Sequence, residues 1–279
     1  PILMLTGSHD TPSLAWKSIL FLVTSSLFIS CVSFKPAHTL PPTTTYLKKS
    51  FSSPNYTLPY RILYPKGYDG TTKYPLVFFL HGSGERGTDN EKQLIHGAQL
   101  FLDSIDKYPS IVIFPQCNHS DYWANIEPTQ LSLPDDTLIL FQKIEQPGPS
   151  ATALNLLVDS FLNEPTTDLA NIYIAGLSMG GMGTAQILAT RPNTFAAATV
   201  ICGAAPLDYV QQLRQTPTQL FQGVQDNVVF PINSQLYYDA INDGSTKHRL
   251  ILYPNADHQS WNNAFAETDF LRWMFDKKK

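Results

Sequence analysis

Five short runs, apolar or nearly so, recur along the chain: Leu76-Val-Phe-Phe-Leu80, Ile111-Val-Ile-Phe114, Ile172-Tyr-Ile-Ala175, Ala197-Ala-Thr-Val-Ile201 and Leu250-Ile-Leu-Tyr253. A strand with one wet face alternates apolar and polar residues, whereas a continuous run marks a strand covered on both faces, as in a parallel sheet. Gln219-Leu-Phe-Gln222 is a shorter run of the same kind, and Lys48–Ser52 and Tyr60–Tyr64 read as edge strands around a Pro54-Asn55 turn. Helical segments are expected between them at Glu91–Ser104, Ala151–Asn163, Gly180–Thr190, Ile232–Asn242 and Trp261–Phe275, with Pro192 stopping the third. Alternation of this kind implies an α/β layered domain with a mainly parallel sheet. With 43% hydrophobic and only 15% charged residues, the chain can fill a core on both sides of such a sheet, and global disorder is excluded.

The chain divides into three parts. Lys17 precedes an apolar stretch, Ser18–Ile29, which at ~1.5 Å per residue is too short to cross ~30 Å of hydrocarbon but fits the core of a secretory signal. Residues 1–31 therefore read as an export signal with two outcomes open. Phe28-Ile29-Ser30-Cys31 resembles a bacterial lipoprotein cleavage box, which would leave a lipidated Cys31 attached to the membrane; otherwise the signal is cut in the ordinary way. Either outcome places the protein outside the bacterial cytoplasm: secreted, periplasmic or lipid-anchored at the cell surface. Residues 32–45 form a Pro/Thr-rich tether, and 46–279 form the folded domain. Within that domain, 125–150 carries four prolines and reads as an inserted loop with one short helix, a small cap over a site.

Charge narrows the partners. Lys and Arg total 19 against 23 Asp and Glu, a net −4, and no basic stripe is present, which argues against nucleic acid. The Lys277-Lys278-Lys279 tail is a solvated end. Cys117 and Cys202 either pair in an oxidising compartment or stay buried as free thiols. The seven histidines are scattered, and neither HExxH nor CxxC occurs, so no metal is expected.

The chemistry concentrates at Gly176-Leu-Ser-Met-Gly180, entered by the apolar run Ile172–Ala175 and left by the small-residue segment Gly180–Ala185. A sharp strand-to-helix turn needs small flanking residues, and it lifts the Ser178 hydroxyl above the sheet. A serine hydroxyl is a weak nucleophile at neutral pH and needs a base. His258 follows the last strand, and Asp226 follows Gln219–Gln222, giving the chain order Ser…Asp…His with all three at strand C-termini. Asp257 and Asp208 compete with Asp226 for the acid's place; the first is adjacent to His258, so its side chain diverges, and the second lies seven positions beyond Ile201. His81-Gly-Ser-Gly84 follows the buried Leu76–Leu80 strand, where one oxyanion-hole donor belongs: the Ser83 amide, with Gly84 as the alternative. The amide of Met179 is the other donor, and His81 reads as the holder of that loop. Trp123 and Trp261 either stack on a phenolic acyl group or sugar, or simply pack.

Tyr74–Gly87, Ile113–Cys117, the Gly176–Gly181 turn and Tyr253–Trp261 together resemble secreted α/β-hydrolases often labelled predicted peptidases, relatives of polyhydroxybutyrate-depolymerase-like and feruloyl-esterase-like carboxylesterases. The resemblance covers about 58–276. It implies the α/β-hydrolase fold, helices on both faces of the sheet, and a serine carboxylesterase with no cofactor. The substrate it implies is a small-molecule or polysaccharide-linked ester, such as a feruloyl or acetyl ester. Two departures stand out: Gln222-Gly223, where relatives commonly have His-Gly, and Gln225, where they often carry a second acid. A serine peptidase on the same scaffold and a catalytically silent binding module are the rival readings; an intact Ser178, Asp226 and His258 count against the second.

Overall fold

Residues 76 to 80 set the architecture, because their side chains alternate between two separate cores. Leu76, Phe78 and Leu80 face one cluster, while Val77 and Phe79 face the other, and all five are fully buried. A computed structural model describes residues 45–53, 56–127 and 138–279. The signal at 1–31 with Cys31, all of the tether but its last residue, the Pro54-Asn55 turn and the middle of segment 125–150 lie outside the described residues.

In chain order the strands are β1 (Leu47–Ser53), β2 (Tyr56–Leu63), β3 (Tyr74–Leu80), β4 (Ile111–Pro115), β5 (Ile126–Glu127), β6 (Leu140–Phe141), β7 (Thr167–Leu177), β8 (Ala197–Ile201), β9 (Thr218–Gly223) and β10 (Arg249–Tyr253). The helices are α1 (Ala98–Ser104), α2 (Pro149–Leu162), α3 (Met179–Thr190), α4 (Val210–Leu213), α5 (Pro231–Ile241), α6 (Trp261–Ala266) and α7 (Phe270–Phe275). The main sheet runs β1-β2-β4-β3-β7-β8-β9-β10. β2 is antiparallel to β1 and to β4, and every other pairing in this sheet is parallel. Side chains from α2, α3 and α5 cover one face, those from α1, α6 and α7 the other. Each fully buried Leu or Phe in these layers contributes roughly 1.5–3 kcal/mol relative to leaving it in water.

Three expectations about elements are corrected. The helix over 91–104 is cut at Gly97, whose φ of 82° leaves the right-handed helix; a Cβ there would stand 2.8 Å from the Phe79 ring. What precedes Gly97 is a single 3-10 turn, Lys92–Leu94. The helix over 261–275 is broken after Ala266, where Glu267 adopts ψ 125°. The break lets Asp269 pair with Arg249 at 2.7 Å and lets Phe270 stack on Phe221 at 5.5 Å. In segment 125–150, the described residues form the two-residue β5–β6 ladder and turns, with no helix before α2. Ile126, Ile139 and Phe141 pack against Met182, Ala204 and Val229, beside the start of α3.

Candidate active site

Ser178 stands between β7 and α3 with φ 52° and ψ −119°, a conformation that is strained for any residue with a Cβ. The surroundings enforce it. A Cβ on Gly180 would lie 2.0 Å from the Leu80 carbonyl oxygen, and one on Gly176 would lie 2.2 Å from that of Gly180, so no larger residue fits at either position. The Ser178 N–H donates to the Ile201 carbonyl at 2.8 Å, and its own carbonyl accepts from Met182 at 3.0 Å. The turn is thus tied to β8 and to α3.

The structure brings Ser178, Asp226 and His258 together from the ends of β7, β9 and β10. The loops carrying Asp226 and His258 are bound to each other: Val224 N–H donates to Tyr253 O at 3.0 Å and Gln225 N–H to Ala256 O at 2.9 Å. His258 Nδ1 lies 2.8 Å from Asp226 Oδ2, and His258 Nε2 lies 3.0 Å from Ser178 Oγ. A carboxylate only accepts, so Nδ1 carries the proton and Nε2 is free to accept from the serine hydroxyl. Burial works against the Asp226 charge, but the bond from His258 and the amides of Val228 and Val229, each at 2.9 Å, outweigh it and hold its pKa below the usual carboxylate range. Gln222, where relatives commonly have His, donates to Asp226 Oδ2 at 3.0 Å and accepts from Ser234 Oγ at 2.8 Å. Asp208 sits on an exposed 3-10 turn, and the exposed Asp257 caps the Gln259 amide.

Ser83 and Met179 each open a helical segment, where the backbone N–H has no carbonyl of its own helix to meet. Both Ser83 and Gly84 line the cleft that holds Ser178. His81 fixes this loop: its Nε2 accepts from the Cys117 amide at 3.0 Å, so Nδ1 carries the proton and donates to the Gly82 carbonyl at 2.6 Å. Burial pushes the His81 pKa down to about 4, which keeps the ring neutral and this geometry intact at pH 7.

The cleft has a volume of about 550 Å³. Trp261 lines it, with its ring 5.5 Å from that of His258 and 5.1 Å from that of His96. Trp123 does not. It is 1% exposed, packed 5.3 Å from the His81 ring and directly on Gly183, and it lines a separate cavity between α2 and α3. A ring that fills the layer behind the His81 loop is out of reach of a substrate at Ser178. Nor does any described residue of segment 125–150 line the cleft. Glu85 and His96 do, and neither stood out in the sequence; the position of Glu85, two residues past Ser83, was the available signal. Cys117 and Cys202 are both buried free thiols, and burial pushes the pKa of each upward.

Comparison with known proteins bears on the fold that carries this site. The sequence pattern of the dienelactone hydrolase family matches residues 122–269, more than half of the chain. The chain belongs to that family. The matched part holds Ser178, Asp226, His258 and Trp261, while the His81–Glu85 loop precedes it. Among solved structures, a thermostable esterase is similar at 30% identity and a TM-score of 0.73, over 84% of this chain and 63% of its own. An acylaminoacyl peptidase from Pyrococcus horikoshii aligns at 15% identity and 0.60, over 85% of this chain and 42% of its own. A ferulic acid esterase aligns at 15% identity and 0.63, over 83% of this chain and 98% of its own. This family member thus spans less than two thirds of the esterase and of the peptidase. No curated protein matches the sequence. What these likenesses share is an esterase-like α/β-hydrolase fold.

Proposed function

We propose that the protein is a serine carboxylesterase. The observation that carries this reading is the continuous Ser178–His258–Asp226 hydrogen-bond relay, whose Ser178 and His258 line a cleft that Ser83 also lines. Ser178 Oγ attacks the ester carbonyl as His258 Nε2 takes its proton. Asp226, held ionised, keeps the imidazole in the required tautomer and stabilises its charged form. The amides of Ser83 and Met179 receive the oxyanion; a single such donor can contribute ~2.7–4 kcal/mol to the transition state. The imidazolium then protonates the leaving alcohol, and a water activated by His258 releases the acid from Ser178. No step calls for a cofactor or a nucleic acid partner.

Feruloyl or acetyl esters of plant polysaccharide are the proposed substrates, since Trp261 offers an aromatic wall beside the relay. Export through residues 1–31, with anchoring by Cys31 as one outcome, would bring the enzyme to such polymers. The test is a panel of p-nitrophenyl acetate, methyl hydroxycinnamates, acetylated xylan and peptide amides, run on the protein and on Ser178→Ala. Turnover of esters without amides, lost by about a million-fold in the variant, is expected. Amide turnover without ester turnover would replace the esterase with a peptidase, and equal rates in the variant would remove Ser178 as nucleophile.

A further inference from the structure

Two carboxylates line the cleft without a role in the relay, Asp257 and Glu85, and the second is buried. Glu85 is only 8% exposed, yet it lines the cavity in which Ser178 opens. Its carboxylate and the nucleophile flank the same glycine: a Cβ on Gly82 would lie 3.1 Å from Glu85 Oε2 and 3.7 Å from the Ser178 Cβ. A buried carboxylate ordinarily collects several N–H donors. Among the described residues the one partner of the Glu85 carboxylate is His96, with Nε2 3.6 Å from Oε1, longer than a hydrogen bond. Glu85 lines the cleft and its Oε2 sits beside Gly82, which lines it too, so the carboxylate has accepting capacity to spare at the cleft wall.

The rest of the lining points the same way. Asp257 adds a second carboxylate, and among the described residues no lysine or arginine lines the cavity. Arg86, next in sequence to Glu85, is directed elsewhere: its Nε donates to the Ser83 carbonyl at 3.0 Å and its guanidinium lies 4.7 Å over the Tyr122 ring. The Trp261 indole, against His96, gives the same corner an aromatic surface, which favours cations over anions. A carboxylate on the substrate would meet like charge here and no counter-ion.

We propose that Glu85 selects the substrate: its carboxylate accepts a hydrogen bond from a hydroxyl or ammonium group carried by the ester, and it repels an ester that carries a carboxylate. This rests on the esterase reading above and adds the substrate's polar character to it. Glu85 takes no part in proton transfer to or from Ser178; it acts on binding.

The experiment uses rigid p-nitrophenyl benzoates that differ only in the para group: hydrogen, hydroxymethyl, aminomethyl or carboxylate. For the unaltered protein, kcat/KM is expected to rank both donor esters above the unsubstituted one and the carboxylate last, with about ten- to a hundredfold between donor and carboxylate, the scale of a hydrogen bond to a charged group. Glu85→Gln should raise the carboxylate ester relative to the unsubstituted one, and Glu85→Leu should also erase the hydroxymethyl preference. Binding of the matching aryl methyl ketones, measured by calorimetry on the unaltered protein, should follow the same order. An unranked series in the unaltered protein, or ratios that both variants leave unchanged, overturns the proposal. The ranked ketone affinities without hydrolysis of any ester would instead sink the esterase reading and leave Glu85 as the selecting group.

Discussion

Asp226 and Asp208 occupy different worlds in the fold, and the contrast can be measured. Asp226 is 2% exposed and accepts from Gln222, Val228, Val229 and His258, while Asp208 is exposed on its turn. Replacing Asp226 by Asn exchanges a pure acceptor for an amide that can donate to His258 Nδ1, which favours the wrong imidazole tautomer. Asp226→Asn is therefore expected to fold and to lose ester turnover by up to ~10⁴-fold, with Asp208→Asn close to full activity. Steady-state rates of the two variants decide it, and the reverse pattern would move the acid to the loop after β8. Sequence order alone pointed to Ser178, Asp226 and His258, because a strand-turn-helix glycine pattern and two loop positions after strands are local signals. Gln222 was legible only as a departure from relatives. Its work is to bridge Asp226 and Ser234, residues 4 and 12 positions away, and no local pattern encodes that. Glu85 and His96 escaped for the same reason, since the irregular stretch between them, 86–95, brings them together.

At the scale of elements, β3, β4, β7 and β8 were readable because burial on both faces leaves uninterrupted apolar runs, whereas the equally apolar run of β10 lies at the sheet's edge with Leu252 43% exposed, and the two-residue β5 and β6 left no signal. The ends of helices were not. Helical spacing continues through Gly97 and through Glu267, yet each break serves a distant contact, with the Phe79 ring in one case and with Arg249 and Phe221 in the other. Tertiary packing overrode local propensity at both points. The elbow gives the clearest test of what a glycine does in this fold. Gly180→Ala would drive a methyl into the Leu80 carbonyl at 2.0 Å, backbone against backbone, where no side chain can give way. Gly84→Ala, in the neighbouring loop, would meet nothing within 4 Å. Denaturant unfolding should show Gly180→Ala destabilised by about 3 kcal/mol or more and Gly84→Ala within ~0.5 kcal/mol of the parent. Similar losses in both would mean that the β7–α3 turn relaxes more easily than its contacts imply.

At the scale of the whole molecule, the described residues include two buried neutral histidines at opposite edges of the sheet. His81 follows β3 at the edge where Ser178 emerges, and His248 precedes β10 at the other, its Nδ1 accepting from the Thr218 amide at 3.2 Å. Burial pushes both pKa values down to about 4, with the Lys247 charge adding to the effect at His248. In the unfolded chain each ring titrates near ~6.5. As pH falls below that value, the unfolded state takes up protons that the native state refuses, so the stabilisation present at pH 7 declines until the folded pKa is reached near 4 and then levels off. Each histidine can add at most about 1.4 kcal/mol per pH unit inside this window. His248→Asn keeps an acceptor where Nδ1 stands and cannot be protonated, so it isolates one of the two contributions. Urea unfolding between pH 7 and 4 should show a steeper loss in the parent than in His248→Asn, so that the difference between the two stabilities shifts in favour of the variant as the pH falls. Parallel curves would mean that His248 is not held neutral. His81 cannot be protonated without giving up the Cys117 amide, and that amide is what holds the loop bearing Ser83. Acid should therefore loosen the loop bearing Ser83 before it unfolds the sheet, seen as a change in the amide resonance of Cys117 at a higher pH than global unfolding.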